Sequence, residues 1–226
     1  MESLRPPLSG SPSSAAISRS QVYSMSTTNP IPQRQIRAVY SQTTITVYQA
    51  YSHSIADAAL KAGRFMSPFK RDRMTWIKPS LLWMAYRSGW ALKPGQERVL
   101  AIELTREGFE WALEHSCLSH FEAGTYPDHD AWENRKTISP VRVQWDPERG
   151  LRHEPLGYRS LQIGLSGDAV IRYVENWIVN LTDITASMHQ LAGLIERGED
   201  AAARALLPNE SVYPLTEQLS RILGAG

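Results

Sequence analysis

The chain has 226 residues, 42% hydrophobic and 21% charged, with a formal net charge of +1 and one cysteine. That length supports one sizeable core rather than two full domains, and apolar runs such as Leu81 to Tyr86 fall far short of the ~20 residues needed to cross a bilayer. The lone Cys117 excludes an intrachain disulfide and any multi-cysteine metal centre, so a reducing, cytoplasmic setting is expected.

Residues 1–34 are rich in Ser and Pro, carry one acidic residue, Glu2, and lack apolar periodicity, so a disordered tail is expected ahead of a domain spanning 35–226. A Ser-rich, acid-poor start also suits a transit peptide, but Arg5, Arg19 and Arg34 do not share one face of an amphipathic helix. Ile36 to Tyr40 and Thr44 to Tyr51 alternate with period two across a short polar turn, which predicts a hairpin. Ser54 is a candidate cap for a helix running to Gly63. Pro79 suits the first turn of a helix through Arg87, ended by Ser88-Gly89.

Val99 to Leu104 reads as a buried strand. Thr105 to His115 reads as a helix, with Glu107 near capping-box spacing and Cys117 as a small core residue in a helix beyond. The polar stretch 122–138 predicts a long loop. Val141 to Asp146 and Tyr158 to Leu165 predict two further strands, and from Gly167 onward the pattern is helical, broken by Pro208 and Pro214. The expected class is α+β: a single domain with a mixed or antiparallel sheet, flanking helices and a helical C-terminal region.

Charge is unevenly placed. Lys61 to Arg98 holds nine basic residues against Asp72 and Glu97, an excess of seven, while the rest of the chain is net acidic. Arg64, Lys70, Arg73, Lys78 and Arg87 are interleaved there with Trp76, Trp83 and Trp90. Cations that neutralise phosphates, beside indoles that stack on bases, are what unpaired nucleotides require. Trp83 and Arg87, four apart, share one helical face. The competing reading of these residues is core aromatics under a solvated charged face, although such a face usually mixes acids among the bases.

Strand alternation places Arg142, Gln144 and Asp146 on one side and Val141, Val143 and Trp145 on the other. A further polar row comprises Tyr158, Ser160 and Gln162. Both rows suit a water-facing or a substrate-facing wall. The sequence has no phosphate-binding P-loop, no dinucleotide glycine signature, no H-E-x-x-H and no G-x-S-x-G. Its six histidines show no metal-ligand spacing, so neither a metal nor a cofactor is expected.

The runs Ile36 to Tyr40, Val47 to Tyr51, Met74 to Ser80, Met84 to Trp90, Pro140 to Pro147 and Tyr158 to Leu165 resemble a bacterial and fungal family known as a domain of unknown function. The family is in turn similar to the fungal arginine-containing cyclodipeptide synthases. That resemblance spans roughly Ile36 to Thr185. It implies an enzyme that takes arginine and a second amino acid from their charged tRNAs and joins them as a diketopiperazine. A chain without an ATP motif must receive its carboxyl group already activated, and a tRNA ester supplies this.

On that reading Arg64, Lys70, Arg73, Lys78 and Arg87 hold phosphates of the tRNA, and Trp76 and Trp83 stack on its terminal bases. Tyr48, Tyr51 or Gln144 orient the attacking amine, and Ser80 is the hydroxyl to test as an acyl acceptor. Asp146 or Glu148 meets the arginine guanidinium, with Arg37, Tyr158 and Gln162 as further substrate contacts. The bacterial synthases use a nucleotide-binding scaffold of which this sequence shows no sign, so their catalytic residues have no counterparts here. Two other readings stay open: an ADP-ribosyltransferase-like enzyme acting on nucleic acid through Arg37, Tyr86 and Ser160, and a non-catalytic RNA-binding module.

Overall fold

The computed structural model describes residues 32–225, so the tail expected at 1–34 lies almost wholly outside the described residues. The domain is α+β, as its sequence pattern predicts. In chain order its elements are β1 (Arg37–Ala38), β2 (Thr44–Tyr51), α1 (His53–Ala62), β3 (Thr75–Ile77), α2 (Leu81–Ser88), β4 (Arg98–Thr105), α3 (Arg106–Glu114), β5 (Ser116–Leu118) and α4 (His129–Ile138). There follow β6 (Val141–Arg149), β7 (Pro155–Leu165), α5 (Asp168–Arg172), which widens into a π-type turn at Tyr173–Trp177, and then β8 (Ile178–Asp183), α6 (Thr185–Glu196), α7 (Asp200–Leu206), β9 (Ser211–Val212) and α8 (Glu217–Leu223).

Two sheets dominate. One has the order β2-β4-β8, antiparallel throughout; the other has the order β3-β7-β6-β5, in which only the β5–β6 pairing is parallel. Between them, Tyr48 of β2 and Lys78, one residue past β3, exchange two backbone hydrogen bonds of 2.7 and 3.3 Å. The apolar face of β6 and β7 (Val141, Val143, Trp145, Leu161, Ile163, Leu165) is buried in the main core. Each such aliphatic side chain taken from water contributes roughly 1.5–3 kcal/mol. A second cluster sets Leu81, Met84 and Ala85 of α2 against Met188, Leu191 and Ile195 of α6.

The expected hairpin forms only a bridge between Tyr40 and Ile45. β1 pairs instead with β9, and β2 pairs along its full length with β4. α1 begins two residues earlier than expected, with Ser52 rather than Ser54 in the capping position, and Gly63 ends it in the left-handed conformation. Pro79 stands outside α2, whose cap is Ser80. In α3 the Thr105 side chain accepts from the Gly108 amide, which leaves Glu107 outside any capping box. Cys117 is buried, but in strand β5 rather than a helix. The loop expected at 122–138 contains α4, started by the Asp128 side chain accepting from the Ala131 amide. The helical C-terminal region is interrupted by β8, which completes the three-stranded sheet.

Candidate active site

The site begins with a small residue. Trp76 of β3 lies opposite Gly164 of β7, and a Cβ at that glycine would come within 2.6 Å of the Met74 sulfur and 3.0 Å of the Trp76 ring. Only glycine leaves room for the indole there. Two residues on, the backbone of Lys78 is held by Tyr48, and its side chain runs inward to donate from Nζ to Asp146 Oδ2 at 3.0 Å. The ammonium also lies 3.7 Å from the centre of the Trp83 ring. Lys78 is 1% exposed. Burial lowers its pKa, and the charge and hydrogen bond of Asp146 raise it part of the way back, leaving it at about 8.

Asp146 is held from both sides, because its second oxygen accepts from Gln144 Nε2 at 2.9 Å. Register places Gln144 opposite Gln162 and Asp146 opposite Ser160, so the two polar rows form one continuous wall. Gln49 of β2 closes the far side. Its amide donates to Thr75 Oγ1 and to the Trp76 carbonyl, both at 2.8 Å, and accepts from the Tyr173 hydroxyl at 2.7 Å. The Tyr51 hydroxyl shares a 3.0 Å hydrogen bond with Thr75 Oγ1, and burial pushes its pKa up to about 12, so it stays protonated at neutral pH.

These groups line a cavity of about 680 Å3, with the exposed guanidinium-bearing residues Arg73 and Arg87 also on its wall. That volume falls within the range of ligand pockets, roughly 300–1,000 Å3. A second cavity, of about 420 Å3, shares no lining residue with the first and is lined by Arg37, Ser80, Glu148, Tyr158 and Glu210 among others. A third, of about 370 Å3, shares Gln144 and Asp146 with the first and adds Arg34, His120 and Arg159.

The match to the domain-of-unknown-function family DUF4291 runs over residues 35–213, from just before β1 to just after β9, and takes in all three cavities apart from Arg34. The chain belongs to the DUF4291 family. No curated protein matches it.

In this DUF4291 domain the first cavity brings together Tyr51, Arg73, Trp76, Lys78, Trp83, Arg87, Gln144, Asp146 and Gln162, residues drawn from four separated stretches of sequence. Arg37, Ser80, Glu148 and Tyr158 fall in the second. Arg64 and Lys70 are exposed and line none of the three. Three expected roles need correction. Lys78 is a buried, ion-paired amine rather than an open phosphate contact. Tyr48 is 3% exposed and lines none of these cavities, so its hydroxyl does not face the site. Ser80 is occupied as the α2 cap, accepting from the Trp83 amide at 3.2 Å and donating to Glu148 Oε1 at 2.8 Å, away from the Lys78 cavity.

The basic excess is also smaller than it reads. Arg71 pairs with Glu175, Lys78 with Asp146, and Arg98 with both Asp57 and Asp183, all acids outside the segment. Seven of the nine cations stay exposed, Lys61, Arg64, Lys70, Arg71, Arg73, Arg87 and Lys93, and among the described residues only Arg71 of these is ion-paired.

The sequence reading missed Gln49, Thr75 and Glu210. Glu210 accepts the Leu81 amide at 2.8 Å at the start of α2, and its pKa is pushed up to about 8 by burial and by the neighbouring charge of Glu148. Among the described residues no helix is long and apolar enough to cross a membrane.

Proposed function

We propose that this protein is an aminoacyl-tRNA-dependent cyclodipeptide synthase that joins arginine to a second amino acid as cyclo(Arg-Xaa). One observation carries the reading: Arg73, Trp76, Trp83 and Arg87 converge on the same cavity as Gln144, Asp146 and Gln162. The exposed arginines are suited to the phosphates of a tRNA acceptor end, and the indoles to its terminal bases. The amides and the Asp146 carboxyl are suited to the amines and the cationic side chain of an aminoacyl group. The acyl group arrives as an ester, so the reaction needs no nucleotide hydrolysis. A synthase of this kind is expected to work without a cofactor.

The ADP-ribosyltransferase reading draws less support. Arg37 lines the second cavity, whereas Tyr86 and Ser160 line none of the three, so the residues invoked for it do not meet.

The test is incubation of the purified protein with arginyl-tRNA and a mixture of other aminoacyl-tRNAs, with mass-spectrometric detection and a ribonuclease control. An arginine diketopiperazine that vanishes with ribonuclease is the expected result. Retention of tRNA with no product would favour a binding module, and consumption of NAD in a parallel assay would favour the transferase.

A further inference from the structure

Resting on that reading, we propose that Asp146 and Lys78 form a two-membered proton acceptor for the attacking amine, Asp146 meeting the amine and Lys78 storing its proton. The side chains are arranged for such a division. Asp146 is 15% exposed on the cavity and Lys78 1%, and they are joined by a 3.0 Å hydrogen bond. Gln144 fixes the other carboxylate oxygen, leaving Asp146 little freedom to turn away. The Trp83 ring lies against the amine, and the backbone of Lys78 is tied to β2, which fixes the point from which the side chain enters the site.

An isolated carboxylate, with an ordinary pKa near 4, is a poor match for an ammonium that must lose its proton near neutrality. A lysine amine at about 8 is a good one. The charges acting on that amine are Asp146, Glu148 and Arg149, all from β6, while Arg73 and Arg87 line the same cavity.

The transfer balances without any further reactant. The attacking α-ammonium gives a proton to Asp146, which passes it to the neutral Lys78 amine. The freed lone pair forms the C–N bond to the ester carbonyl. The C–O bond to the ribose then breaks with its electron pair on oxygen, the nitrogen's second proton passes through Asp146 to that oxygen as the tRNA hydroxyl leaves, and the first proton, held on Lys78, is released to solvent before the next bond forms. Ring closure repeats the sequence with the second ester, and nothing is oxidised or reduced.

The test compares kcat and KM for arginyl-tRNA across pH in wild type, Lys78→Arg and Asp146→Asn. Wild-type kcat is expected to rise with pH to a plateau, with a midpoint near 8. Lys78→Arg keeps a cation beside Asp146 but cannot release its proton. It should therefore lose about 100-fold or more in kcat, with KM little changed, and lose the midpoint. Asp146→Asn removes a charge that holds the lysine pKa up, so any residual activity should have its midpoint at lower pH. A Lys78→Arg enzyme with wild-type kcat and pH profile overturns the inference while leaving the functional reading intact. A wild type that makes no product removes both. If Lys78→Arg does not fold, an NMR titration of the Lys78 Cε resonance in 13C-labelled wild type decides the matter. A midpoint near the ordinary lysine value, rather than near 8, overturns the storage role.

Discussion

The β6–β7 pair has two faces that differ in chemistry far more than in exposure. On one, Val141, Val143, Trp145, Leu161, Ile163 and Leu165 pack into the core at 7% exposure or less. On the other, Gln144, Asp146 and Gln162 are half-buried over a cavity rather than open water, and Ser160 is buried beside them. Polar groups withdrawn from water are costly unless hydrogen-bonded, and here Gln144, Asp146 and Lys78 form a continuous bonded chain. Ser160 is the exception: its buried hydroxyl has no hydrogen-bond partner among the described residues. Alternation along a strand therefore tells which residues share a face, and not whether that face meets solvent, ligand or another part of the fold.

Removing the acid on the polar face is expected to have the largest effect on stability. Asp146→Ala leaves the Lys78 amine without its ionic partner and should cost about 3–5 kcal/mol near pH 7, read by chemical denaturation. The sign of the pH dependence follows from Lys78, whose folded pKa of about 8 lies below the 10.5 of a free lysine. Between those values the unfolded chain binds more protons, so the stability contribution is poorest below about pH 8 and rises as pH climbs toward 10.5. In Asp146→Ala that rise should start at lower pH; an identical pH–stability curve would show that the pair is not coupled as described.

On the apolar face, Ile163→Ala should cost about 2–5 kcal/mol through cavity formation, with the Lys78 titration unmoved. A shift in that titration would mean that the two faces are not independent. At the junction, Gly164→Ala should cost about 1–3 kcal/mol and displace Trp76, seen as a change in indole fluorescence. The smallest effect belongs to the rim. Arg73→Ala with Arg87→Ala should leave stability within about 0.5 kcal/mol and flatten the salt dependence of tRNA binding by about 0.7–0.9 log units per lost phosphate contact. An unchanged slope would exclude both arginines as phosphate contacts.

Much of this arrangement was legible in the sequence because it is local. The alternation in β6 and β7 separates the two faces correctly, and the glycine after α2 marks its end, with Gly89 in the left-handed conformation. What escaped is non-local or weakly patterned. β8 is an edge strand in which only Ile178 and Leu181 are even half-buried, so it carries no clean period of two. α4 buries only Trp132 and is otherwise polar or partly exposed, leaving little helical periodicity to read. β1 finds its partner over 170 residues away, against the nearer turn that suggested a hairpin. Gln49 looks like any strand residue, since its partners come from β3 and the π-type turn. Lys78 was countable as a positive charge, but its burial depends on Asp146, 68 positions downstream.

The contact between the Leu81 amide and Glu210 spans 129 positions. A chain leaving the ribosome therefore presents the beginning of α2 long before the carboxylate that completes it has been synthesised. During that interval the helix depends on Ser80 alone among its side-chain caps. The second cavity, which Glu210 lines, is complete only when the segment carrying that carboxylate folds back onto the start of α2, whereas the first cavity is lined by nothing beyond Gln162.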